Sequence, residues 1–321
     1  MTTKNNLIRL LKNYKQQTDL PLTLKNFINL NQLEIGQLYK VGSFYELGYK
    51  ANVFKTYLVK DRKELNNALW RLANIDSKKL LYFAKDFLKL EDYSTAYLTE
   101  EQKLMLSMLY YTFWDKEPEE SYVKSFERLR KNNLSIYREI FEIIDYKLST
   151  LNTITKTIDL DYVSPLEVHA RYTVDQVLAS FGLHIEKKKV PFREGVKYIE
   201  EKKTDIFFIT LNKSEKDYLE STMYDDYAIN DHLFHWQTQS RTSIESPTGQ
   251  RYINHRKTGN IILLFVRENK RENTKTSPYY FLGKANYVEH QGSKPINIIW
   301  KLEEKIPQFI MRETHMKAVV E

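Results

Sequence analysis

The sequence predicts an α+β protein: an N-terminal multi-helix bundle followed by a mainly antiparallel β-barrel or sandwich-like domain. Three observations carry that expectation. Through roughly the first 150 positions, apolar residues recur three and four apart, the periodicity of helices that bury one stripe. Past Gly182 the apolar runs become short and end in turn signals such as Thr258-Gly259 and Gln291-Gly292, as strands do. Between these regions the texture changes to a threonine-rich stretch, 150–157, and a linker-like one, 159–165. The expected domains are therefore 1–155 and 160–321. Strands that follow one another without alternating helices favour an antiparallel arrangement.

Leu7, Leu10, Leu11 and Tyr14 form one stripe. Thr23 is placed to cap a helix that carries Leu24, Phe27 and Ile28. From Leu22 to Val53 the pattern is one of very short helices broken by polar turns, an arrangement shared by helix-turn-helix modules and by ordinary helical subdomains. Longer helical patterns cover Glu64 to Ala73, Lys78 to Leu90, Thr99 to Thr112 and Glu119 to Leu148, and Thr99 with Gln102 spells a capping box. One more helix is expected from Thr173 to Phe181, capped by Thr173 and stopped by Gly182. Expected strands are Gly195 to Ile199, Asp205 to Leu211, Ile261 to Val266, Tyr279 to Leu282, Ala285 to Glu289 and Ile296 to Leu302.

A chain of 321 residues, 42% hydrophobic and 28% charged, has ample material for a core in each domain. It contains no cysteine, which removes disulfides, thiolate metal sites and cysteine nucleophiles from consideration and fits a reducing compartment. The start, Met-Thr-Thr-Lys-Asn-Asn, leads into an amphipathic stretch, and no apolar run approaches the roughly 18 residues of a membrane span. The expected location is cytoplasmic, with no membrane partner. A net charge of +7 favours an anionic partner.

Searches for enzymatic motifs fail. There is no Gly-rich loop ending in Gly-Lys-Ser/Thr, no Gly-x-Ser-x-Gly elbow and no His-Glu-x-x-His helix. The His-x-Lys fragments at His255 and His315 lack the acidic residue that phospholipase-D chemistry requires. Glu194, Asp205 and Lys213 can be assembled into a metal-dependent nuclease centre only with loose spacing. His232 and His235, three apart, could share a metal only with His255 or Asp231 as a further ligand. The expectation is no catalytic residue, no metal and no cofactor.

The stretch from His232 to His255 departs most from the surrounding patterns. It holds three of the seven histidines and one of the four tryptophans among amides, hydroxyls and guanidinium groups. Because each buried polar group needs a partner, the run is expected to be a surface loop. Ser246-Pro-Thr-Gly249 would turn it back and bring Arg251 and Tyr252 near Trp236. Its chemistry suits nucleic acid. Trp236 can stack on a base, and Gln237 and Gln239 can address base edges. Arg241, Arg251 and Arg256 can neutralise phosphate, with His235 and Tyr252 in support. If a base is extruded, Trp236 and Tyr252 would wall its pocket.

Several motifs together carry a family resemblance: His169 to Tyr172, Pro191 to Gly195, Thr204 to Lys216, Met223 to Ala228, Leu233-Phe-His-Trp-Gln237, Ser246-Pro-Thr-Gly-Gln-Arg-Tyr-Ile253, Leu263 to Glu268 and Tyr279 to Gly283. In this order they resemble a bacterial domain of unknown function at the C-terminal end of superfamily-2 DEAD/DEAH-type helicases, many of which begin with a phospholipase-D-like nuclease. Pro21-Leu-Thr-Leu with Phe27, and Leu69-Trp-Arg-Leu-Ala73, resemble the region between motor and tail. The resemblance implies a DNA-processing context, in restriction or phage defence, with a helicase or nuclease as protein partner. It supplies no catalytic residue, and this sequence carries neither motor nor nuclease motifs. The leading expectation is a DNA-binding accessory module. The alternatives are a metal-dependent nuclease and a tail that docks a helicase without touching DNA.

Overall fold

A computed structural model describes residues 3–60, 62–192, 195–212, 226–272 and 275–311. The chain forms two compact units. The first comprises Met1–Thr153, Val163–Leu166 and Tyr172–Pro191; the second comprises Ile154–Tyr162, Glu167–Arg171 and Phe192–Glu321.

The first unit is built on α1 (Lys4–Gln17), α2 (Leu24–Leu30), α3 (Ile35–Val41), α4 (Phe44–Lys50), α5 (Arg62–Ala73), α6 (Lys78–Lys89), α7 (Glu100–Phe113), α8 (Tyr122–Asn132) and α9 (Leu134–Thr150). The helix starts follow their caps. Thr23 Oγ1 accepts the Asn26 N–H, and Thr99 with Gln102 forms a reciprocal capping box. Of the first stripe, Leu7, Leu11 and Tyr14 are buried. The expected helix from Glu119 to Leu148 is two helices, because Asn133 leaves helical geometry and its Oδ1 accepts the Lys60 N–H.

Helix α9 also closes helix starts that are distant in sequence. Glu139, fully buried, accepts from Ser43 Oγ (2.5 Å), Phe44 N (2.5 Å) and Tyr45 N (3.3 Å) at the start of α4. Glu142 accepts from Leu24 N (2.6 Å) at the start of α2. Helix starts present unpaired N–H groups and positive potential, so two carboxylates on one helix pin two others. Burial lifts the Glu139 carboxyl to about 7, against the donors that hold it down.

After α9, β1 (Lys156–Thr157) pairs with β2 (Glu167–Val168), and β3 (Arg171–Tyr172) leads into α10 (Val174–Ser180), which packs on α7. Thr173 and Gln176 form a second capping box, and Gly182 follows at φ +74. A small hairpin, β4 (His184–Ile185) and β5 (Lys188–Lys189), follows.

The second unit then unfolds along the chain as β6 (Gly195–Ile199), β7 (Thr204–Asn212), β8 (Tyr227–Ala228), β9 (Leu233–Gln237), α11 (Pro247–Ile253), α12 (His255–Thr258), β10 (Ile261–Asn269), β11 (Arg271–Glu272), β12 (Lys275–Thr276), β13 (Tyr279–Gln291) and β14 (Asn297–Leu302). Seven of these strands form one sheet in the order β6-β7-β10-β13-β14-β9-β8, and β3 pairs β13 off this path. The sheet is mixed. β7 and β10 run parallel, while the other pairs on this path are antiparallel.

A parallel pair requires a long crossover, and here part of it is supplied by α11 and α12. The run from His232 to His255, expected as a loop, is thus a strand, a loop over 238–246 and two short helices. Ser246-Pro-Thr-Gly249 is not a reversing turn but a helix start. Ser246 Oγ accepts the Gly249 N–H (3.1 Å) and donates to Ser243 O (2.7 Å), and Pro247 occupies the first helical turn.

The sheet is strongly curled. Strands β7 and β9 lie four positions apart, about 19 Å in a flat sheet, yet the Phe207 and Trp236 rings lie 4.2 Å apart. The inner face encloses Phe207, Trp236, Tyr252, Ile262, Leu264, Ile298 and Trp300. No ladder joins the two ends among the described residues, so the expected barrel is an open curled sheet. The outer face changes character across the strands. Toward β7, β10 and β13 it is apolar, with Phe208, Phe265, Tyr279 and Phe281 in ring contact. Toward β14 and β9 every second residue is only partly covered. No described helix is long and apolar enough to cross a membrane.

Candidate nucleic-acid interface

Alternation along β9 divides the expected contact residues between two faces. Phe234 and Trp236 point into the core, while Leu233, His235 and Gln237 lie on the partly open outer face. Trp236 is 6% exposed, 4.2 Å from the Phe207 ring and edge-on to Tyr252, which is 3% exposed. Both rings pack within the inner cluster, so the geometry gives them a packing role in place of the base contacts expected of them.

Arg251 is likewise committed inward. Its Nε and Nη2 donate to the two oxygens of Asp205 at 2.8 and 2.9 Å, and its guanidinium lies 3.9 Å from the Tyr198 ring centroid. Asp205 is fully buried, and burial raises its carboxyl above the ordinary value in spite of Arg251. This bidentate pair fastens α11 to β7. It also occupies the carboxylate that a nuclease centre would need; Glu194 and Lys213 lie outside the described residues.

His255 is buried with both ring nitrogens engaged. Nε2 accepts the Tyr287 N–H (2.9 Å), which leaves Nδ1 as the donor to Asn260 O (3.1 Å). The ring is therefore neutral, and burial lowers its pKa. His232 Nδ1 contacts Leu302 O at 3.2 Å. Among the described residues no three His, Asp or Glu side chains are grouped to hold a metal.

What remains on the outer face forms an open groove of about 660 Å³, lined by Tyr227, His235, Glu289, His290, Gln291, Asn297 and Ile299. Strand register arranges most of it in rows. One row runs Tyr227, His235, Ile299, Glu289; the next runs Gln237, Asn297, Gln291. The Tyr227 and His235 rings are stacked at 4.7 Å with 18° between their planes. Gln237 Nε2 donates to Asn297 Oδ1 (3.2 Å), and the Gln237 N–H is held by Asp226 Oδ1 (3.0 Å). His290 Nδ1 lies 2.6 Å from the Tyr287 hydroxyl.

Cations border this face at both ends of the strands. Lys301 is exposed in the row with Leu233 and Asn286, and the exposed Arg256 donates through Nε to Asn286 Oδ1 (3.1 Å). At the other end, exposed Arg241 and Lys294 belong to two loops tied together by Lys294 N–H to Thr242 O and Ile244 N–H to Ser293 Oγ, both 3.2 Å. Gln239, in the same loop, is exposed and lies toward Gly195. Of the residues singled out in the sequence, His235 lines the groove and Gln237 lies in the row opposite Asn297, while Arg241 is exposed in the loop after β9 and Arg256 reaches Asn286 from α12. Tyr227, Glu289, Gln291 and Asn297 carry no local sequence signal for this site, because they lie on other strands and only the pairing register brings them together.

Residues 166–314 of this chain match the family model described as "Domain of unknown function (DUF3427)", a span that contains the whole curled sheet from β6 to β14. No curated protein matches the chain.

Proposed function

We propose that the curled-sheet unit is a nucleic-acid-binding module, with DNA as its partner, and that its contact surface is the groove on the outer face. The observation that carries this reading is the register-built row of a stacked Tyr227–His235 pair beside the Gln237–Asn297 amides, with cations at both ends. Each part answers a need of the ligand. Flat rings stack on bases, amides offer a donor and an acceptor to base edges, and arginine and lysine neutralise phosphate. The resemblance to helicase tails supports an accessory role: the module would hold DNA for a motor or nuclease carried on other sequence, in restriction or phage defence.

A fluorescence-anisotropy titration of the whole chain against labelled DNA at several salt concentrations tests this. Binding is expected to weaken steeply with salt. His235→Ala combined with Gln237→Ala should lower affinity about tenfold, the scale of losing one stacked base, without moving the unfolding midpoint. Arg241→Ala should reduce the salt slope by about one contact. No binding at low salt, or a double variant that binds like the parent, would remove the proposal.

A further inference from the structure

The groove carries a group that a surface made only for phosphate would lack. Glu289, exposed, sits in the central row beside Ile299, with His235 and Tyr227 beyond it. The cations lie along the strands from it, with Lys301 one same-face step to one side and Arg241 and Lys294 past Asn297 on the other. Same-face rows are separated by about 7 Å. A phosphate over the central row would meet a like charge; over either end it would meet an opposite one. A strand laid on this face therefore runs its backbone across the ends and turns a base toward the middle.

The middle row then sets which base fits. Across Ile299, the backbones of His235 and Glu289 are about 10 Å apart, a gap that takes a purine stacked in line with the Tyr227 and His235 rings above Ile299, with the long Glu289 side chain folding to its edge. A carboxylate only accepts hydrogen bonds. Guanine presents two adjacent donors, N1–H and the N2 amino group, to its two oxygens. Thymine presents one N–H between two carbonyl oxygens, which the carboxylate repels. Resting on the reading of this face as a nucleic-acid interface, we propose that the groove binds an unpaired guanine, with Glu289 as the residue that determines the specificity.

The test is anisotropy titration of the full chain with single-stranded thymidine oligonucleotides that carry one central guanine, inosine or thymine. Wild type should bind the guanine strand about tenfold more tightly than the thymine strand, the discrimination of one bidentate contact. Inosine, which lacks the N2 amino group, should lose most of that margin. Glu289→Gln should abolish it while binding the thymine strand at least as well as wild type, since a repulsive charge is gone. Equal wild-type affinities, a margin that survives in Glu289→Gln, or binding to duplex only would overturn the inference and leave the wider DNA reading standing. Absence of binding at low salt both to every single strand and to a duplex of the guanine strand with its complement would overturn both.

Discussion

Arg251 and Asp205 illustrate how strongly the meaning of a residue depends on the direction it faces. A buried carboxylate stripped of the cation beside it keeps its desolvation cost and loses its compensation, so removing one partner costs about 3–5 kcal/mol. Arg251→Ala is expected to destabilise the sheet unit by that amount in urea titration. Arg251→Met combined with Asp205→Asn should recover a large part of the loss, because no unpaired charge is then left behind. Were Arg251 a phosphate contact, the single variant would instead keep its stability and lose DNA affinity. Residue type alone does not separate these outcomes. The sequence identifies arginine, tryptophan and tyrosine as suited to DNA, yet Trp236, Arg251 and Tyr252 face the core while His235 and Gln237, their neighbours, face out.

The elements show the same division between what is legible and what is not. The apolar runs of β7 and β10 are legible in the sequence because their residues are buried almost without interruption, whereas β6 is only partly covered over four of its five positions. β13 reads as two strands because Gly283 interrupts it; the strand is continuous, but its ladder with β10 shifts register at the glycine, from Leu264–Gly283 to Phe265–Phe281, and its ladder with β14 shifts again between Tyr287 and Glu289. β9 alternates as a half-buried strand should, but its outward positions carry His235 and Gln237, and the polar composition hid the period. Ser246-Pro-Thr-Gly249 has the composition of a turn, which hides α11 and with it the crossover that the parallel β7–β10 pair needs. Gly249 explains that helix start in packing terms: a Cβ there would sit 2.1 Å from Ser243 O. Gly249→Ala should therefore cost about 1–3 kcal/mol in the unfolding free energy. Gly259 is the control: at φ +70 with open space around it, alanine there should cost only the backbone strain of about 1–2 kcal/mol, and asparagine still less.

Across the whole molecule, the two units carry buried titrating groups of opposite sense. Glu139 in the helical unit titrates at about 7, above an unfolded value near 4.5, so the folded unit holds its proton more tightly than the unfolded chain does. Its contribution is complete below about pH 4.5 and is lost as pH rises through 7, on the order of 3 kcal/mol. His255 in the sheet unit has its pKa lowered by burial, so the folded state resists protonation. Its contribution is complete above the unfolded value of about 6.5 and is lost as pH falls below it. Calorimetry at pH 5.5 and 8.5 should therefore show the helical transition moving down, and the sheet transition moving up, as pH increases. Glu139→Gln should flatten the first shift alone, and His255→Asn the second alone. Transitions that keep the same pH response in these variants would show that neither buried group governs its unit, and that the hydrogen bonds around Glu139 and His255 persist with the proton on either side.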